Sequence, residues 1–148
     1  HQVIGVYERK KAILMAHVLK ALGSQRVLLV HGHDGLDEVT LTGKTSVITL
    51  DHKQIVEWEL DPQDLDLNYC KPEDLRGRDA PYNAMMIKGI LEGYESPLRS
   101  AIILNAAAAL IAVGRVTSWE EGVAVSEHAL DQGKALQVLK DVVRISNE

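Results

Sequence analysis

Three regimes of apolar and polar residues follow one another along this chain. The first opens with Val3-Ile4-Gly5-Val6-Tyr7 and resumes at Val27 to Val30. Unbroken apolar runs of this length suit strands buried on both faces of a parallel sheet. Between them Ile13, Met15, Val18, Leu19 and Leu22 recur at helical spacing from about Arg9, and Gly23 stands where a helix C′ glycine belongs. Strand, helix and strand in this order predict a right-handed βαβ unit with parallel strands, the second running from Arg26 to His31.

The second regime runs from Glu38 to Leu60. Val39/Leu41, Val47/Ile48/Leu50 and Ile55/Val56/Trp58/Leu60 are short alternating runs, separated by Thr42-Gly43-Lys44 and Asp51-His52-Lys53. They predict two or three antiparallel strands joined by tight turns. Asp61-Pro62 ends the pattern, and the polar segment to Gly77 reads as a loop with short helical turns such as Pro72 to Leu75.

The third regime is helical. Asp79 is an N-cap for a helix reaching Leu91 and ending near Gly93. Ser96-Pro97 opens a second helix, closed by Gly114, whose stretch from Ala101 to Val113 is apolar on nearly every side and should therefore be central. Ser118-Trp119-Glu120-Glu121 reads as a capping box for a third helix to about Gln132, and a fourth runs from Lys134 to Val143. The predicted class is α/β: a parallel βαβ core, an antiparallel extension and a C-terminal set of packed helices. Residues 1–148 hold neither repeat nor linker and read as one α/β domain. His1-Gln2 passes straight into a strand, which reads as a piece cut from a longer protein, since natural termini usually carry slack at the surface.

Composition narrows the function classes. The 148 residues are 46% hydrophobic and 25% charged, as in an ordinary globular protein. A formal charge of −5 argues against a sequence-independent nucleic-acid binder, which needs a basic face. The apolar run at Ala101 to Val113 is interrupted by Asn105 and falls short of the roughly 20 residues of a membrane span. The single cysteine, Cys70, excludes an intrachain disulfide; it reads as an inert, partly buried thiol, and a cytoplasmic location is expected.

Candidate chemistry concentrates in Arg26 to Gly43, where the aliphatic run breaks into a glycine-punctuated loop carrying Asp37 and Glu38. Ligands of parallel sheets bind beyond the carboxyl ends of the strands. Adjacent acids there have two readings: solvated loop residues, or ligands for a hard cation and, through it, a phosphate. Magnesium takes only one or two protein carboxylates, so a pair is sufficient. Thr42-Gly43-Lys44-Thr45-Ser46 imitates the end of a phosphate-binding P-loop. The motif requires glycine where Glu38 stands, and a helix where Ser46 to Leu50 reads as a strand. His31 and His33 lack further ligands for zinc and read as histidines that hydrogen-bond the loop backbone.

Val30-His-Gly-His-Asp-Gly-Leu-Asp-Glu38, followed by Leu41-Thr-Gly43, resembles the signature of the anthranilate phosphoribosyltransferase family. The resemblance continues through Gln2-Val-Ile-Gly-Val-Tyr7, Glu73-Asp-Leu-Arg-Gly-Arg-Asp-Ala80, Asn83-Ala84, Leu104-Asn-Ala-Ala-Ala-Ala-Leu110 and Trp119-Glu-Glu-Gly-Val123, essentially the whole chain. It implies the C-terminal part of a large α/β domain, in an enzyme that transfers the phosphoribosyl group from phosphoribosyl pyrophosphate to anthranilate in tryptophan biosynthesis. It further implies Mg2+ as cofactor, bound by Asp37 and Glu38. The family's glycine-rich phosphate loop, its anthranilate-binding residues and its small helical domain, through which it dimerises, match nothing here. The piece alone is therefore expected to be inactive. Arg78 and Tyr82 depart from the pattern, where a second glycine and an acid are common. A related nucleoside phosphorylase, which Asp37-Glu38 argues against, and a non-catalytic paralogue binding nucleic acid or protein are the competing readings.

Overall fold

A computed structural model describes residues 1–148. The elements are β1 (Gln2–Gly5), α1 (Arg9–Ala21), β2 (Arg26–Gly32), β3 (Thr45–Asp51), β4 (Gln54–Leu60), α2 (Ala80–Leu91), α3 (Pro97–Ala112), α4 (Trp119–Asp131) and α5 (Lys134–Ser146). Two short 3-10 turns, Pro62–Leu65 and Pro72–Leu75, punctuate the long connection between β4 and α2.

The strands form one sheet in the order β1-β2-β3-β4. β1 and β2 are parallel, with Ile4 opposite Leu29, whereas β2–β3 and β3–β4 are antiparallel. The parallel core and the antiparallel extension therefore share a single sheet. Asp51 pairs with Gln54, so the β3–β4 hairpin closes on His52-Lys53 alone, both at positive φ as a two-residue I′ turn requires.

The sheet is covered on both faces, which explains the unbroken apolar run of β2. Val27 and Leu29 pack with Ile48, Leu50 and the small residues Ala12 and Ala16 of α1. Leu28 and Val30 point the other way, into a larger cluster with Val47, Ile103, Leu104 and Ala107. Burying each such Val, Leu or Ile contributes about 1.5–3 kcal/mol. α3 is central, as its composition demands, packed between the sheet and α4. Its crossing with α4 is close because Gly122 faces Ala107. Trp119 of α4 meets Trp58 of β4 edge to face, with ring centroids 5.9 Å apart.

Four details differ from the pattern reading. β1 stops at Gly5 rather than Tyr7, although the Val6 N–H still donates to Val30 O, and the Tyr7 side chain is exposed. Val39 and Leu41 are fully buried but form no strand: Asn105 pairs with both backbone groups of Val39, and Cys70 N–H donates to Leu41 O. At the start of α4 Ser118 accepts from Glu121 N–H, yet Glu121 reaches back to Thr117 N–H and not to Ser118. α5 continues to Ser146, beyond Val143. No helix is long and apolar enough to cross a membrane.

Candidate active site

The loop from His33 to Lys44 leaves β2 beside the carboxyl end of β1 and returns into β3. Parallel strands splay a crevice at that end, the address at which α/β sheets bind ligands. The first bonds of the loop are a tight return: Gly35 N–H donates to Gly32 O, Gly32 N–H to Leu36 O, and His33 N–H to Lys44 O. Gly35 sits at φ +92, a conformation that L side chains rarely adopt.

Three carboxylates stand on this loop, and their surroundings divide them. Asp34 is engaged three times. Its Oδ1 accepts from Leu36 N–H at 3.0 Å, while its Oδ2 accepts from Thr40 Oγ1 at 2.6 Å and from the Thr42 hydroxyl. Partial burial pushes the Asp34 carboxyl up, but the donors on Thr40, Thr42 and Leu36 outweigh it and hold the group below the usual carboxylate range. Asp37 and Glu38 are exposed, and neither takes part in a side-chain hydrogen bond or ion pair. Asp34 therefore shapes the loop, whereas Asp37 and Glu38 are presented to whatever approaches it.

Their presentation is fixed through the backbone on either side. Gly5 lies so close to Asp37 that a Cβ there would overlap the Asp37 carbonyl oxygen and lie only 2.6 Å from its carbon. Immediately after the pair, Val39 N–H donates to Asn105 Oδ1 of α3 at 3.0 Å, and Asn105 Nδ2 donates to Val39 O at 2.8 Å. Thr40 N–H donates to Thr45 Oγ1, and Leu41 O accepts from Cys70 N–H. The pair thus projects from a stretch whose flanks are held by β1, α3 and β3.

The histidines divide between two kinds of partner. His31 Nδ1 lies 2.8 Å from Val6 O, a backbone contact to the segment after β1. His33 departs from the expectation: its Nε2 faces the Glu59 carboxylate at 3.3 Å rather than loop backbone. Lys44 is the last residue before β3, with its ammonium 3.8 Å from the Asp61 carboxylate, and Thr45–Asp51 is a strand, so no P-loop helix follows Gly43. Cys70 is half-buried, and burial pushes its thiol up, as suits an unreactive sulfur. Arg78 and Tyr82, the two departures from the family pattern, meet each other, with the guanidinium 4.6 Å from the ring centroid.

Pattern reading found the acidic pair but missed what holds it. Gly5 was one more strand residue. Asn105 was only a break in an apolar run, although a lone amide in an apolar helix is itself a signal, since buried polar groups are hydrogen-bonded. A cleft of about 460 Å³ beside the loop, lined by Asp34, Leu36 and Arg76 among others, brings the Pro72–Leu75 turn to the same side.

Known proteins share this sequence and fold. A family model described as the a/b domain of a glycosyl transferase family matches residues 1–136. The anthranilate phosphoribosyltransferase of Bradyrhizobium sp. (strain BTAi1 / ATCC BAA-1182) is 46% identical over 147 residues, which are 99% of this chain and 44% of that protein. The one from Geotalea uraniireducens (strain Rf4) is 42% identical, over 99% of this chain and 42% of its own length. Among solved structures, anthranilate phosphoribosyltransferase from Thermus thermophilus superposes with a TM-score of 0.88 at 32% identity, covering 97% of this chain and 42% of that one. The Saccharomyces cerevisiae enzyme in complex with PRPP and Mg gives 0.84 at 26% identity, over 95% and 41%. The chain spans a little over two fifths of the length of these relatives. With the fold, the loop and the family model in agreement over nearly its whole length, the chain belongs to the glycosyl transferase family whose α/β domain matches residues 1–136.

Proposed function

We propose that this chain supplies the metal-binding loop of an anthranilate phosphoribosyltransferase, in which Asp37 and Glu38 hold Mg2+ and, through it, the pyrophosphate of phosphoribosyl pyrophosphate. The reaction is transfer of the phosphoribosyl group to the amine of anthranilate, a step of tryptophan biosynthesis. The observation that carries this reading is the contrast among the three loop acids. Asp34 is engaged by Thr40, Thr42 and Leu36, whereas Asp37 and Glu38 are adjacent, exposed and free of internal partners.

The donor set fits the ion. Magnesium is a hard cation that takes one or two carboxylates and completes its shell with water and substrate phosphate oxygens. No third His, Cys, Asp or Glu gathers with the pair, which leaves the remaining positions to those oxygens. When bound, the metal would offset the charge that develops on the departing pyrophosphate. The protein's share is to carry two adjacent acids on the loop at the strand ends and to hold the backbone that bears them. Gly5, Asn105 and Thr45 fix the backbone on both sides, so only the two side chains need ordering when the ion arrives. The substrate-binding determinants of such an enzyme that find no match in residues 1–148 would come from elsewhere in the full-length protein.

Replacing Asp37 and Glu38 together with Ala in the full-length protein tests the reading. Both side chains are exposed, so the fold should hold to within about 0.5 kcal/mol per site. Magnesium-dependent formation of phosphoribosyl anthranilate should fall at least about a hundredfold. A double variant that still turns over with magnesium overturns the assignment.

A further inference from the structure

We propose that Asn105 is a positioning residue for the acidic pair: its amide clamps Val39, and thereby fixes the direction in which Asp37 and Glu38 present their carboxylates. The inference rests on the reading of that pair as the magnesium site.

Asn105 lies in the middle of α3, a helix that is otherwise apolar around it. Its amide forms three bonds. Oδ1 accepts from Val39 N–H at 3.0 Å; Nδ2 donates to Val39 O at 2.8 Å and to Ala101 O at 3.0 Å. Both N–H groups are therefore used, and the bond to Ala101 O fixes which way the amide faces. The reversed orientation would set its oxygen against two carbonyl oxygens. The two bonds to Val39 imitate one rung of a strand ladder, made by a side chain to a residue outside any strand.

No other side chain satisfies Val39. Val39 is 1% exposed, so without Asn105 its N–H and C=O would be buried and unpaired. A loop in that state reorganises toward water, and Glu38, the residue before Val39, moves with it. Few residue types can replace the clamp. Leu has the shape without the bonds, and Asp has the shape but turns an oxygen toward Val39 O and Ala101 O. Since α3 packs on β1, β2 and α4, the clamp ties the direction of the acids to the most central helix of the fold.

The test is made in the full-length protein with Asn105→Leu and Asn105→Asp, beside the Asp37→Ala/Glu38→Ala double variant. The first readout is Mn2+ binding followed by electron paramagnetic resonance, with phosphoribosyl pyrophosphate present. The second is the magnesium concentration giving half-maximal rate, separated from the rate at saturating magnesium. Both Asn105 variants should weaken metal binding about 10- to 100-fold, as loss of residues that orient metal ligands commonly does. Hydrogen exchange at the Val39 amide should quicken in step. Asn105→Asp keeps the volume of the wild-type side chain and is decisive if Asn105→Leu does not fold. Unchanged metal binding in folded Asn105 variants, with the double variant defective, overturns the positioning role alone. Unchanged metal binding in the double variant overturns the metal site and the positioning role together.

Discussion

A Cβ on Gly5 would overlap the carbonyl oxygen of Asp37. The end of β1 and the acidic loop are thus in contact at a distance that only hydrogen on Cα permits. Gly5 is also not at positive φ, so the requirement is one of space and not of backbone conformation.

Gly5→Ala must push the loop away, because the new Cβ would sit inside the Asp37 carbonyl group. Overpacking of this kind costs about 1–3 kcal/mol. If Asp37 holds magnesium as proposed, displacing it by an ångström is expected to lower turnover of the full-length protein by about a hundredfold. Gly43, in the same signature, has open space where its Cβ would be and no positive φ. Gly43→Ala should therefore leave stability within about 0.5 kcal/mol. Chemical denaturation and steady-state rates of the two variants check the contrast; equal effects would mean that the Gly5 contact is relieved without cost.

Asp34 gives the loop a pH dependence. Its folded pKa lies below the unfolded value of about 3.9 because Thr40, Thr42 and Leu36 donate to the ionised form. A depressed pKa means that the folded state binds the proton less readily than the unfolded state does. The stabilisation is therefore fully present above about pH 4 and is lost as pH falls through the folded pKa. Asp34→Asn should be less stable than wild type at pH 7, with the gap closing below about pH 4. Urea denaturation of both proteins from pH 7 to pH 3 reads this directly, because the remaining carboxylates are common to both. A gap that stays constant with pH would show that the charge on Asp34 contributes nothing.

Gly122→Ala sets helix propensity against packing. In an exposed helix interior the change would stabilise by about 1 kcal/mol. Here the new Cβ would lie 2.8 Å from Ala107 Cβ and 3.1 Å from its Cα, at the crossing of α3 and α4. Overpacking between two helices costs about 1–3 kcal/mol, so net destabilisation is expected. Combining it with Ala107→Gly should restore part of the loss, and the coupling in a double-mutant cycle measures the contact.

Much of this architecture was legible in order along the chain. Val27 to Val30 announced a strand covered on both faces, and Asp79, Ser96 and Ser118 each cap the helix they were expected to open. Local signals of this kind survive because a cap or a buried run is decided within a few residues. Asp37 and Glu38 were legible as a pair for the same reason. Their sorting from Asp34 was not. It depends on Thr40 and Thr42 folding back onto Asp34, and sequence spacing alone does not fix that direction. Nor was the non-strand character of Val39 and Leu41 visible. Their alternation is that of a strand, but Asn105, sixty-six residues away, and Cys70 supply the bonds that a neighbouring strand would otherwise provide. Local pattern was enough for most of the elements, for the buried faces of β2 and for the place of the acids at its end. Which acids are free and what holds them follows from hydrogen bonds and close contacts between distant segments, and these have no period along the chain.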